Sequence, residues 1–176
     1  MKFKKTKLEG AYVIELEKHE DERGFFARVW DKKQFENMGL SCEIQECSVS
    51  FNKKKGTIRG MHYQEPPYEE VKLVSCSKGK IFDVIIDLRK NSTTFKEWTG
   101  VELSAENHKI IYVPEGFAHG FQTLEDDSEV FYMISQIYRP EYARGIRWND
   151  PVFKIKWPLE KTIISDKDQL FNNFKD

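Results

Sequence analysis

Two short stretches of the chain set a histidine beside glycine, cationic and turn-forming residues. One is Arg59-Gly60-Met61-His62-Tyr63-Gln64, followed by Glu69-Glu70-Val71-Lys72. The other is Pro114-Glu115-Gly116-Phe117-Ala118-His119-Gly120-Phe121. An imidazole titrates near neutral pH, so His62 suits a general base that removes a carbon-bound proton. Such a base works best with a carboxylate on its other nitrogen. Taking a proton from beside a ketone builds charge on the carbonyl oxygen, and a cation aimed at that oxygen in a dry pocket stabilises it. Arg59 and Lys72 flank His62 as two cations. A plain core seldom draws in two cations and an imidazole without paired carboxylates. Inverting a stereocentre also requires an acid on the opposite face, which suits a phenol. Tyr132 and Tyr138 lie in one alternating stretch, Val130–Tyr138, and their even separation puts both on one face of a strand. Beside each chemical reading stands a packing one: a lone histidine is commonly a hydrogen-bonded, half-buried side chain, and a strand tyrosine commonly fills a barrel.

The elements that must position these residues are mostly strands. Period-two alternation predicts them at Ala11–Leu16, Phe25–Trp30, Cys42–Phe51, Val71–Ser77, Lys80–Asp87, Val101–Leu103, Lys109–Val113, His119–Thr123 and Val130–Tyr138. Breakers such as Asp21–Gly24, Pro66-Pro67, Lys78-Gly79 and Glu125–Ser128 separate them. Short strands with frequent turns imply an all-β sandwich or barrel. One helix is predicted over Lys32–Met38, with Asp31 as N-cap, Phe35 and Met38 as its apolar face and Gly39 as its stop. The run Lys53–Lys55 before Gly56 reads as a solvated hairpin tip.

With 176 residues and no linker, repeat or low-complexity segment, residues 1–176 read as a single domain. A domain of this size buries about 70% of its unfolded surface and needs no disulfide or metal to stay folded. Its 39% hydrophobic and 14% aromatic content excludes a disordered chain. Lys+Arg number 28 against 29 Asp+Glu, so nothing marks a nucleic-acid binder. An anionic ligand must instead meet a local cluster of cations. Cys42, Cys47 and Cys76 form no CxxC pair. No apolar run is long enough for a signal peptide or membrane span, so a reducing cytoplasm is expected.

The two histidine segments together resemble the motifs of cupin barrels. Metal-binding cupins use two histidines separated by one residue, a glutamate, and a further histidine in P-x-G-x-x-H. Here Gln64 takes the second histidine's place and Lys72 the glutamate's, while Pro114–His119 is intact. A protonated lysine repels a divalent cation, so no metal is expected, and an ammonium takes the metal's place.

The ordered blocks RGMHYQ, KLVSCSKGKIFDVIIDLR, VPEGFAHGFQTL, RGIRWND and ISDKD resemble the dTDP-4-dehydrorhamnose 3,5-epimerase family from about Gly10 to Asp168. The resemblance implies a cupin-type β-sandwich barrel (jelly roll), a homodimer, no cofactor, and a thymidine diphosphate 4-keto-6-deoxyhexose as substrate. The product would be dTDP-4-keto-rhamnose. By position, it implies His62 as base, Asp168 as the carboxylate orienting it, Tyr132 as opposite-face acid and Lys72 as the enolate's cation. Arg23 and Arg59 would bind diphosphate or sugar oxygens, His119 would line the pocket, and Tyr138 would contact the base or sugar. The chain departs from the pattern at Arg28, often acidic, at Cys47 within the segment Gln45–Ser50, often Q-D-N, at Met133, often lysine, and at Ala143, often glutamate. A 3-epimerase, a 3,4-ketoisomerase, a non-catalytic nucleotide-sugar binder and a metal-dependent cupin oxygenase are the other readings. The strand Ala11–Leu16 is expected to pair across subunits, covering a sheet edge.

Overall fold

A computed structural model describes residues 1–41, 43–160 and 163–175. In chain order the elements are β1 (Lys2–Lys5), β2 (Tyr12–Glu15), β3 (His19–Asp21), β4 (Gly24–Phe26), α1 (Lys32–Asn37), β5 (Glu46–Asn52), β6 (Ile58–Gln64), β7 (Lys72–Lys78), β8 (Lys80–Asp87), β9 (Trp98–Ser104), β10 (Ile110–Val113), β11 (Phe117–Thr123), β12 (Ser128–Ile134), β13 (Ala143–Gly145) and α2 (Asp166–Gln169). They build a six-stranded sheet, β1-β2-β10-β7-β12-β5, and a five-stranded sheet, β13-β6-β11-β8-β9, with β3 and β4 forming a separate hairpin. Every pairing within these sheets is antiparallel.

Three apolar layers explain the pattern of burial. Val74, Cys76 and Val130 of the larger sheet meet Ile81, Ile85 and Phe121 of the smaller one in the central layer. Outside the larger sheet, Ile14, Leu73, Tyr112 and Met133 pack against Phe35 of α1. Outside the smaller sheet, Met61, Val84, Ile86 and Ala118 pack against Ile146 and Phe153. Strands covered on both faces lose polar alternation, which is why Lys80–Asp87 and Phe117–Thr123 are nearly continuously buried.

The helix forms as expected, with Asp31 accepting from the Gln34 backbone N–H, although it closes at Asn37 and leaves Met38 as an exposed cap. Several strand boundaries differ from expectation. The stretch Phe25–Trp30 yields only Gly24–Phe26, because the chain turns there to deliver Asp31 to the helix and Trp30 to the outer layer. The strand predicted from Cys42 begins at Glu46, and Cys42 lies outside the described residues. The stretch Val130–Tyr138 ends as a strand at Ile134, so Tyr132 and Tyr138 do not share a strand face. Beyond Ser135 the chain is drawn toward β6: Gln64 donates to the Ile137 carbonyl at 3.4 Å and accepts from the Arg139 N–H at 2.6 Å. Strand β6 itself was not predicted, since Arg59, Gly60 and His62 interrupt its apolar run. Finally, β2 is flanked by β1 and β10 of its own chain, so it offers no open edge to a second subunit. The edges of that sheet are β1 and β5.

Candidate active site

His62 is held by strand pairing, a tight backbone crossing and a carboxylate from the far end of the sequence. It lies opposite His119 in the β6–β11 ladder, so the two imidazoles share the inner face of the smaller sheet. The register shifts between His119 and Phe121, where Gly60 and Gly120 cross. A Cβ on Gly60 would stand 2.6 Å from the Gly120 Cα, and Gly60 has a φ of +124°. Only glycine fits such a crossing. The Gly60 N–H then reaches Asp168 Oδ2 at 3.2 Å, and His62 Nε2 lies 2.8 Å from Asp168 Oδ1.

Asp168 is presented by α2, a single turn capped by Ser165. Burial pushes its carboxyl upward, but the His62 and Gly60 hydrogen bonds outweigh this and hold it below the usual carboxylate range. An ionised carboxylate only accepts, so it fixes the His62 proton on Nε2 and leaves the Nδ1 lone pair for the cleft. Phe171 packs edge-on against the imidazole at 5.7 Å between ring centres. Gly145 makes room for it, since a Cβ there would meet the Phe171 ring at 2.2 Å.

The opposite wall comes from the larger sheet. Register places Tyr132 opposite Ser48 and Val74, and Ile134 opposite Glu46 and Lys72, so these side chains share one face. Burial first, then the Asp83 charge, raises the Tyr132 phenol well above its ordinary range, so it stays protonated. His119 meets Tyr132 edge-on, 6.0 Å between ring centres, and its Nε2 lies 2.7 Å from Asp83 Oδ2. Asp83 is diagonal to His119 on the β8–β11 ladder and fully buried. Burial raises its carboxyl, against the lowering effect of His119 and Lys72, and its Oδ1 has no hydrogen-bond partner.

Two adjoining cavities, about 310 and 220 Å³, open between the walls. The larger is lined by His62, Lys72, His119, Tyr132 and Arg59 among others, and the smaller by His62, Lys72, Tyr138, Glu46, Glu70 and Lys167 among others. His62 and Lys72 belong to both, which makes them one cleft.

The structure thus brings together seven of the eight expected site residues: His62, Asp168, Tyr132, Lys72, Arg59, His119 and Tyr138. Tyr138 arrives from the loop after β12 and not from the strand. Arg23 does not join them. It sits on the β3–β4 hairpin, 86% exposed, with its guanidinium on Asp21. The picture of two cations without carboxylates also needs correcting: Lys72 Nζ lies 2.7 Å from Glu70 Oε1, while Arg59 Nε donates to Asn52 Oδ1 at 2.7 Å. Glu70 and Asp83 escaped the sequence reading. The signal for Asp83 was an acid inside the apolar run KIFDVIID, which demands a buried partner. The position of the second cupin histidine, Gln64, turns out to brace the loop that carries Tyr138. No group of three or more residues able to hold a metal ion occurs among the described residues.

A family model described as dTDP-4-dehydrorhamnose 3,5-epimerase matches residues 5–176. The chain belongs to this family. A 3,5-epimerase of this name from Methanothermobacter thermautotrophicus is 46% identical over 172 residues, covering 96% of this chain and 91% of that protein. Among solved structures, the Bacillus anthracis dTDP-4-dehydrorhamnose 3,5-epimerase with TDP and PPi bound superposes with a TM-score of 0.95 at 40% identity, covering 98% of this chain and 99% of that one. The Legionella pneumophila dTDP-6-deoxy-D-glucose-3,5-epimerase in complex with dTDP-4-keto-L-rhamnose gives 0.92 at 36% identity, covering 98% and 92%. The all-β sandwich expected from the short strands, and the cupin-like form implied by the resemblance, agree with the two-sheet architecture and with these solved structures.

Proposed function

We propose that the protein is a single-domain dTDP-4-dehydrorhamnose 3,5-epimerase that converts a dTDP-4-keto-6-deoxyhexose to dTDP-4-keto-rhamnose. The observation carrying this reading is an imidazole and a phenol on opposite walls of one cleft, His62 backed by Asp168 and Tyr132 held protonated, with Lys72 lining the cleft from the Tyr132 wall. Neutral His62 takes the proton from the carbon beside the ketone through Nδ1. The electron pair moves into the carbonyl and forms an enolate, whose oxygen the Lys72 ammonium stabilises. Tyr132 then protonates the same carbon from the other face, inverting it. The imidazolium releases its proton to water, and the phenolate regains one. Carbons 3 and 5 both flank the ketone, so one base–acid pair serves both. These steps call on neither a metal nor an organic cofactor.

Arg59 and His119 line the sugar end of the cleft, and Tyr138 offers a flat ring to the base or sugar. Arg23 lies outside its own chain's cleft and contacts substrate only across a dimer interface. A homodimer is supported by the exposed Phe25, Phe26, Val49 and Phe51, and by β5 as an open edge. Light scattering at micromolar concentration should give twice the 20.8 kDa chain mass. No helix of the described residues is long and apolar enough to cross a membrane, and we place the enzyme in the cytoplasm, supplying a deoxysugar for surface polysaccharide.

Proton NMR with dTDP-4-keto-6-deoxyglucose in deuterium oxide, without any reductase, tests the assignment. Deuterium should enter at carbons 3 and 5 as the epimerised sugar forms. Exchange at carbon 3 alone would make the protein a 3-epimerase, and migration of the ketone a 3,4-ketoisomerase. Binding without exchange would leave a nucleotide-sugar-binding protein.

A further inference from the structure

Glu70 and Lys72 stand two residues apart where the chain enters β7, and both side chains are only 11% exposed. A pair this dry holds only with good geometry, and removing one partner leaves the other charge uncompensated. Yet the pair is no core bridge. Both residues line the cavity containing Tyr138, and Lys72 extends into the one containing Tyr132 and His119.

The backbone beneath the pair is firmly tied. Val71 N–H donates to Ser135 Oγ at 2.8 Å, and its carbonyl accepts from Ser135 N–H at 3.0 Å. On the other side, Gln64 Nε2 donates to the Tyr68 carbonyl at 2.9 Å. Lys72 itself is locked between Val113 and Ile134 of the neighbouring strands. The carboxylate of Glu70 is therefore presented from a fixed frame.

A lysine ammonium rides on a flexible four-carbon stem with three rotatable donors. Within this cleft it has competing attractions: Glu46 lines the same cavity, and Asp83 feels its charge. Stabilising an enolate requires donors that are in place before the charge develops. We propose that Glu70 is a positioning residue that clamps one N–H of Lys72 and thereby aims another at the carbonyl oxygen of the bound keto sugar. This rests on the enolate role given to Lys72 above. The substrate ketone gains little from such aiming and the enolate gains much, so the effect belongs to kcat and not to KM.

The test compares Glu70→Ala, Glu70→Gln, Lys72→Ala and the Glu70→Ala/Lys72→Ala double variant in the full-length enzyme. Steady-state epimerisation, deuterium exchange and thermal melting are measured for each. Glu70→Ala should lower kcat by about 10- to 100-fold, the scale of a misplaced catalytic group, with KM and the folded fraction at assay temperature unchanged. Glu70→Gln keeps an oxygen acceptor on Nζ and should recover most of that loss. The double variant should be no slower than Lys72→Ala, because the two act as one unit. A wild-type kcat in Glu70→Ala, a Glu70→Gln enzyme as slow as Glu70→Ala, or multiplying losses in the double variant would each overturn the proposal. Full activity in Lys72→Ala would overturn the enolate role itself, a result distinguishable from failure of the clamp.

Discussion

The protein carries two histidine–aspartate pairs on one sheet face, and they are built differently. The His62 imidazole is 43% exposed and its carboxylate partner, on a separate helical turn, also takes a backbone N–H. The His119 imidazole is 5% exposed, and its partner Asp83 is fully buried with one oxygen unpartnered. Burial wins at Asp83 and raises its carboxyl, whereas hydrogen bonds win at Asp168 and lower it. A pair that reaches open cleft and keeps an ionised carboxylate suits proton abstraction from a substrate. A pair that shows the cleft only the edge of its ring suits holding that ring in one place, against the phenol of Tyr132.

The contrast can be broken most directly at His62. His62→Ala should lower epimerisation and solvent exchange by ~10³-fold or more while the protein stays folded at assay temperature; near-normal exchange by NMR would remove the distinction between the pairs. Tyr132→Phe comes next. If the phenol acts only as opposite-face acid, exchange through His62 persists while inversion falls by about 10²-fold, so the ratio of deuterated substrate to product is the reading to take.

Asp168→Asn should cost on the order of 10²-fold in kcat, the lower end of a general base's contribution, because the amide no longer enforces the Nε2–H tautomer. It should also change the acid limb of stability. Asp168 binds its proton more weakly folded than unfolded. Its contribution is therefore present above the ordinary carboxylate range near pH 4 and is lost as pH falls through the depressed native value. Denaturant melts of the two proteins should converge in strong acid; a gap independent of pH would contradict this origin. The smallest effect on rate is expected at the buried pair. Asp83→Ala strands the His119 donor and should destabilise by about 1–3 kcal/mol, while Asp83→Asn, which keeps an acceptor, should melt close to wild type.

The residues of the cleft are more legible in the sequence than the frame that gathers them. His62, Lys72 and Tyr132 were readable because an imidazole, an ammonium and a phenol in β-rich segments suggest acid–base work, and Asp168 because ISDKD matches a family block. Strand β6 was not readable, since the Gly60 crossing and the polar groups of the site erase alternation at the place where function needs them. Tyr138 lines the cleft from the loop after β12 and not from the strand face that alternation predicts. Its position follows from Gln64 pulling a loop across 75 residues of sequence, which no local pattern encodes. The Glu70–Lys72 contact is not legible in the sequence, because periodicity places side chains on faces and says nothing about which of them touch. The exposure of Arg23 and the covered edge of β2 likewise depend on which strands meet in space.

His62 stands on one sheet and Tyr132 on the other, with Val74, Val130, Ile85 and Phe121 packed between the same two sheets further in. Facing sheets sit roughly 10 Å apart, a spacing set by the bulk of the side chains that fill the gap. The apolar layer therefore works as a caliper whose jaws are His62 and Tyr132. To the extent that the core closes over a smaller residue at Val74 or Val130, His62 and Tyr132 would draw together without either being touched, so the width of sugar the cleft admits is written partly in its greasiest residues.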